Sequence, residues 1–164
     1  SAIIRRTVSD SLQAYWRFVH EQLFLPLGMK SAVLEPDPSG TFVGSSYMYA
    51  TPRDWARFGL FCQQEGVWQG ERILPEGWID YSTRLTPESK HQNYGAHFWL
   101  APQTAGENVP PLPRDLFYLA GHDGQYVSIV PSRSLVIVRL GLSVHTGVWD
   151  QSEFVLRVLE AIQS

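Results

Sequence analysis

The hydrophobic period of this chain changes near residue 94 from helical to strand-like, and returns to helical only after Asp150. That order limits the fold more than any other feature. In the first part Leu12, Tyr15, Trp16, Val19 and Leu23 recur at helical spacing behind Ser11, a residue able to cap a helix, and Leu27-Gly28-Met29 closes the segment with a glycine suited to a C-terminal cap. Thr51-Pro52-Arg53-Asp54 places a hydroxyl, a proline and a carboxylate in the order that starts a helix. That helix carries Trp55, Phe58 and Cys62 inward and stops at Gly66, and a shorter one begins at Pro75 with Trp78, Ile79 and Ser82. Residues 1–6 read as the end of a helix whose beginning lies upstream, followed by a turn over residues 7–10.

Beyond the change of period, Tyr94 to Leu100, Leu116 to Ala120, Gln125 to Val130 and Leu135 to Leu140 are short runs rich in aromatic and branched residues. The tight Pro131-Ser132-Arg133-Ser134 connection makes the last two an antiparallel hairpin. Residues 35–40 and 102–113 are loops by their proline and glycine content. Asp150, with Glu153 three residues on, caps a closing helix that carries Phe154, Val155, Val158, Leu159 and Ile162 on one stripe. Helices first, antiparallel strands next and a helix last predict an α+β fold, with helices laid on an antiparallel sheet.

A chain of 164 residues is long enough to bury a core as one domain. Its net charge of −3 and its arginines, scattered apart from the Arg5-Arg6 pair, argue against a nucleic-acid surface. The single cysteine, Cys62, excludes an intrachain disulfide and reads as a buried apolar residue. No apolar run approaches the ~18 residues that span a membrane. His20, His91, His97, His122 and His145 share no metal-binding spacing, no phosphate-cradling loop is present, and no cofactor is implied. No Gly-x-Ser-x-Gly elbow occurs either.

The informative segment is Leu119-Ala120-Gly121-His122-Asp123-Gly124-Gln125-Tyr126, which joins two predicted strands. Gly121 and Gly124 let the backbone approach a ligand where a Cβ would obstruct it. An edge strand here would offer the Gln125 backbone N–H to a developing oxyanion, and His122 would supply a proton or a hydrogen bond to a carbonyl or carboxylate. A tight turn with a polar tip and no chemistry is the competing reading of the same residues.

Gly44 to Gly59, with its Thr51-Pro52-Arg53-Asp54-Trp55-Ala56-Arg57-Phe58-Gly59 core, resembles a stretch found in β-lactamase-related serine hydrolases. Leu23-Phe24-Leu25-Pro26-Leu27-Gly28-Met29 resembles a helix ending of the same family. Tyr94-Gly95-Ala96-His97-Phe98-Trp99 and His122-Asp123-Gly124 follow in the family's order, as its aromatic strand and its third motif. The four segments lie between Leu23 and Gly124. The branch it most resembles is the esterase and 6-aminohexanoate-dimer-hydrolase type, where the third motif often departs from Lys-Thr-Gly as it does here.

The resemblance implies a β-lactamase/transpeptidase-like fold and acyl transfer through a serine on a small ester, amide or β-lactam-like substrate. It places His122 at the first position of the third motif, facing the cleft, and gives Gln125 the oxyanion-hole N–H through its backbone, so that its side chain matters little. Gly121 and Gly124 would flank the substrate. Trp99 would line the pocket or the core. Tyr47 and Met48 fall where the family has a loop beside the cleft, with burial an equal alternative. Asp123 reads as solvated or turn-stabilising.

The family's nucleophile is the serine of Ser-x-x-Lys, assisted by a Tyr-x-Asn motif. With lysine only at 30 and 90, no serine has a lysine three residues on, and no tyrosine has asparagine two residues on. Residues 1–164 are therefore expected to be the C-terminal, substrate-side portion of one such domain, inactive alone, with the N-terminal part or a second copy of the chain as partner. The alternative from another class is a non-catalytic ligand-binding or structural fragment. The sequence does not fix the compartment.

Overall fold

The computed structural model describes residues 1–8, 11–90, 92–101, 111–144 and 148–162. Its contacts divide the chain into Ser1–Phe58 and Gly59–Ser164.

In the first unit, α1 (Ala2–Val8) is followed by α2 (Leu12–Val19), which runs into a π-helical turn at His20–Phe24. Ser11 caps α2 as its composition predicts, its side chain accepting a hydrogen bond from the Ala14 N–H. The segment ends at Gly28, whose φ of 67° lets the chain reverse so that the Met29 N–H reaches the Phe24 carbonyl at 2.8 Å. Tyr15, Phe24, Leu27, Met29 and Phe42 are buried. The Tyr15 and Phe42 rings lie 4.8 Å apart, and the Tyr15 hydroxyl accepts from the Phe42 N–H at 3.3 Å. Two residue-pair strands, β1 (Val33–Leu34) and β2 (Met48–Tyr49), pair antiparallel. Then α3 (Pro52–Gln63) begins at the expected cap, with the Asp54 N–H on Thr51, and runs on across the boundary.

In the second unit a short ribbon, β3 (Val67–Trp68) with β4 (Glu71–Arg72), precedes α4 (Trp78–Ser82). The main sheet is antiparallel in the order β5 (Trp99–Leu100), β6 (Phe117–Gly121), β7 (Gln125–Val130), β8 (Leu135–Arg139). The β7–β8 connection is a 3-10 turn at Pro131–Arg133 closed by Ser134 in the left-handed region at φ 48°, so the predicted hairpin forms. Val130 and Ile137 pack with Leu116, Ala101 and with Val155 and Leu159 of α5 (Gln151–Ala161). Each of these larger side chains contributes about 2 kcal/mol on burial. Asp150 caps α5, its side chain accepting from the Glu153 N–H at 3.0 Å, as expected. The α+β class and its antiparallel sheet hold.

Several expectations need correction. The helix of α1 includes Thr7 and Val8, which were assigned to a turn, and Ser9 and Asp10 lie outside the described residues. The run from Tyr94 to Leu100 is not one strand. Only Trp99–Leu100 joins the sheet, while Tyr94 makes a single bridge back to Trp99 and His97 sits at φ 71°, which breaks the extension. Trp16, on the predicted helix face with Tyr15, is 42% exposed and Trp78 is 49% exposed, and the Trp16 indole N–H donates to the Gly40 carbonyl at 2.9 Å. Ile162 is exposed at the end of the α5 stripe. The loop expected at 102–113 falls largely outside the described residues, as do His91 and His145.

Candidate functional site

Gly121, His122, Asp123, Gly124 and Gln125 come together in the turn of the β6–β7 hairpin, with Gly121 paired opposite Gln125. Asp123 at φ 56° and Gly124 at φ 85° both occupy the left-handed region, which a short polar side chain and a glycine tolerate. The His122 side chain is 96% exposed at the tip, and its Nε2 stands 3.3 Å from Asp123 Oδ1. The two form an ion pair whenever the imidazole carries its proton. A histidine so placed is free to meet a molecule in solution and can donate or accept a proton.

The turn is latched from the strand beside it. Arg139 donates one guanidinium hydrogen bond to the Gly124 carbonyl and another to Ser143 Oγ at 2.7 Å. The Ser143 N–H donates to the Asp123 carbonyl at 2.9 Å. Gln125 makes a two-point amide pair with Gly141, its Nε2 donating to the carbonyl and its Oε1 accepting from the N–H at 3.0 Å. The φ of Gly124 favours glycine, and a Cβ there would also displace the Arg139 guanidinium from its place beside the turn.

Two expectations about Gln125 change here. Its strand, β7, lies between β6 and β8 and is not an edge of the sheet, because the hairpin to β8 pairs its outer side. Its side chain is also not incidental, since it fixes the segment that follows β8.

Trp99 lies on the same sheet, half-buried. Its ring is near-parallel to Tyr118 at 6.4 Å and edge-on to Tyr94 at 4.8 Å. It pairs in register with Tyr118, three residues before Gly121, so it belongs to the aromatic face of the sheet and not to the turn. Tyr47 and Met48 belong to the first unit. Tyr47 is 55% exposed at φ 62°, and Met48 is half-buried in β2 opposite Leu34.

Burial pushes the Cys62 thiol up to about 12, with Glu65 adding to the rise, so the thiolate is absent at neutral pH. Among the described residues no cluster of histidine, cysteine and carboxylate could hold a metal ion, and no helix is long and apolar enough to cross a membrane. Arg139, Gly141 and Ser143 were not anticipated. The only signal for them is one arginine ending an otherwise apolar strand, Leu135-Val136-Ile137-Val138-Arg139.

Comparison with known proteins adds four likenesses. The family model described as Beta-lactamase matches residues 2–157. Among solved structures, a Bacillus anthracis protein provisionally assigned as a 6-aminohexanoate-dimer hydrolase superposes with a TM-score of 0.65 at 22% identity. It is covered over 36% of its length by 89% of this chain. A Bacteroides dorei protein provisionally assigned as a β-lactamase gives 0.59 at 14% identity, with 91% of this chain on 50% of that one. An uncharacterised protein of Alkalihalophilus pseudofirmus is 30% identical over 98 residues, which are 56% of this chain and 29% of its own length. The chain thus spans at most half of the relatives it resembles, and the two structural likenesses show the fold.

Proposed function

The chain belongs to the beta-lactamase family, and on that premise we propose that it forms the substrate-side portion of a serine hydrolase acting on esters or short amides. The reaction is acyl transfer. A serine supplied by a segment outside residues 1–164 attacks the carbonyl, the alcohol or amine leaves with a proton, and water then hydrolyses the acyl-enzyme. His122 and the Gln125 N–H, the latter one residue before the first β7–β8 pair, bind and polarise the acyl group, with Gly121 and Gly124 giving it room and Trp99 as a candidate substrate contact.

The observation that carries this reading is the latched turn. Arg139, Ser143 and Gln125 hold the backbone around Asp123 and Gly124, while His122 stands free at its tip. A backbone donor acts in catalysis only if it is fixed before charge develops, and fixed donors of this kind contribute on the order of 10²–10³ in rate. Ester and short amide substrates fit better than β-lactams, because His122-Asp123-Gly124 stands where the family's lysine grips a substrate carboxylate.

A second reading, a non-catalytic binding fragment that pairs with a partner chain, is favoured by one fact: no Ser-x-x-Lys occurs in the sequence. Hydrolysis of p-nitrophenyl butyrate and nitrocefin by this chain and by the full gene product separates the two. The hydrolase reading expects turnover of the ester by the full product alone, with nitrocefin slower. Turnover by neither removes it in favour of the binding fragment.

A further inference from the structure

A cavity of about 310 Å³ opens in the second unit, between the aromatic face of the sheet and the start of α5. Its walls are Tyr118, Tyr126 and Trp149, with the first two rings 6.1 Å apart on neighbouring strands. Its floor is a chain of hydrogen bonds. The Trp149 indole N–H donates to Gln151 Oε1 at 2.9 Å, and Gln151 Nε2 donates to the wholly buried Ser128 hydroxyl at 3.0 Å. None of these residues has a role in the proposed acyl transfer, and the volume lies at the small end of the range for ligand pockets.

The lining also says what it would hold. The Ser128–Gln151 bond uses one Nε2 hydrogen and leaves the second to donate into the cavity, while the wholly buried Ser128 hydroxyl serves to hold the Gln151 amide in place. Gln151 and Ser152 begin α5, where backbone N–H groups have no partner within the helix. The polar groups are therefore mostly donors, and they call for an acceptor oxygen. Flat aromatic walls call for a ring. Charge decides the rest. Among the described residues the lining carries one ionisable carboxylate, Asp150, and no cation. Arg139 lies over the Trp149 ring at 4.3 Å but is committed to Gly124 and Ser143. With the Asp150 carboxylate on the lining and the Arg139 guanidinium over the Trp149 ring, the two charges offset one another, and neither an anion nor a cation meets an uncompensated opposite charge. Desolvation raises the Tyr118 hydroxyl above its ordinary value, with Tyr126 adding to the rise, so that wall stays neutral.

We propose that this cavity is a binding site for a small neutral ring compound bearing a carbonyl acceptor, an aryl amide being the simplest example. The proposal is independent of the hydrolase reading, because it needs neither turnover nor the nucleophile.

The test is a titration of the ¹⁵N-labelled chain followed by amide chemical shifts, with benzamide, benzoate and benzyltrimethylammonium as separate probes. Benzamide is expected to shift the Tyr126, Ser128 and Ser152 amides saturably, with Kd on the order of 1 mM for a fragment of this size. Benzoate and the ammonium probe are expected to bind roughly tenfold more weakly from the charge mismatch. Ser152→Trp should fill the cavity and abolish the shifts, and the same spectrum reports whether the variant folds. Should it not fold, Gln151→Ala, which removes the donor but not the walls, should weaken benzamide several-fold. Absence of saturable shifts with benzamide, equal binding of a charged probe, or unchanged binding by a folded Ser152→Trp or Gln151→Ala would each overturn the proposal.

Discussion

Asp54 shows how a single buried charge is made tolerable. It is 3% exposed, yet its carboxylate accepts from the Ser31 N–H at 2.8 Å and the Ser31 hydroxyl at 2.6 Å, and pairs with Arg57. Burial alone would raise its pKa, but the Ser31 bonds and Arg57 together hold it below the ordinary value of 3.8. A depressed carboxyl contributes stability that is fully present above that ordinary value and is lost as pH falls through the lower folded-state value. Asp54→Asn is expected to lower stability by about 2 kcal/mol at neutral pH, since buried donors lose a charged acceptor. Urea unfolding at pH 7 and pH 3 checks this. The gap between wild type and variant should narrow at the lower pH, and an equal gap would show that the charge contributes nothing. At this scale the sequence was only partly legible. Asp54 was visible as a helix-start carboxylate, but Ser31, twenty-three positions away, carries no local signal for the partnership. Gln125 likewise looked replaceable until its amide pair with Gly141 was seen.

At the scale of elements, caps and turns were readable because they are local. Ser11, Gly28, Thr51 and Asp150 act where their chemistry places them. Pairings of two residues, such as β1 with β2, were not readable, because so short a run has no period to detect. Sheet order escaped for a related reason: whether a strand is inner or edge depends on a partner elsewhere in the chain, and β7 acquires β8 on its open side. Gly59 shows packing overriding propensity. Alanine there would favour a helix by about 1 kcal/mol. Its Cβ, however, would stand 2.6 Å from Val136 Cγ1 and 3.0 Å from Val127 Cγ1, where real Cβ contacts require the neighbours to move. Overpacking costs typically about 1–3 kcal/mol and wins. Gly59→Ala is expected to lower the thermal midpoint, and differential scanning calorimetry reads it. A raised midpoint would mean that the valines yield without cost.

At the scale of the whole molecule, fold and family were the legible part, because four segments in one order carried the resemblance although overall identity to the two solved structures is only 14% and 22%. The candidate site was legible as a motif and not as a geometry. Gly121-His122-Asp123-Gly124-Gln125 could be picked out, whereas the arginine latch and the cavity beside α5 depend on residues brought together from three strands and a helix. The central claim is that this chain carries the substrate-side turn of a serine hydrolase and not its nucleophile. Intact mass spectrometry after treatment with a fluorophosphonate serine probe tests it most directly, on this chain and on the full gene product side by side. The account predicts one covalent adduct on the full product, at a serine outside residues 1–164, and none on this chain. A stoichiometric adduct on a serine within residues 1–164 would contradict it, and no adduct on either would remove the serine mechanism altogether.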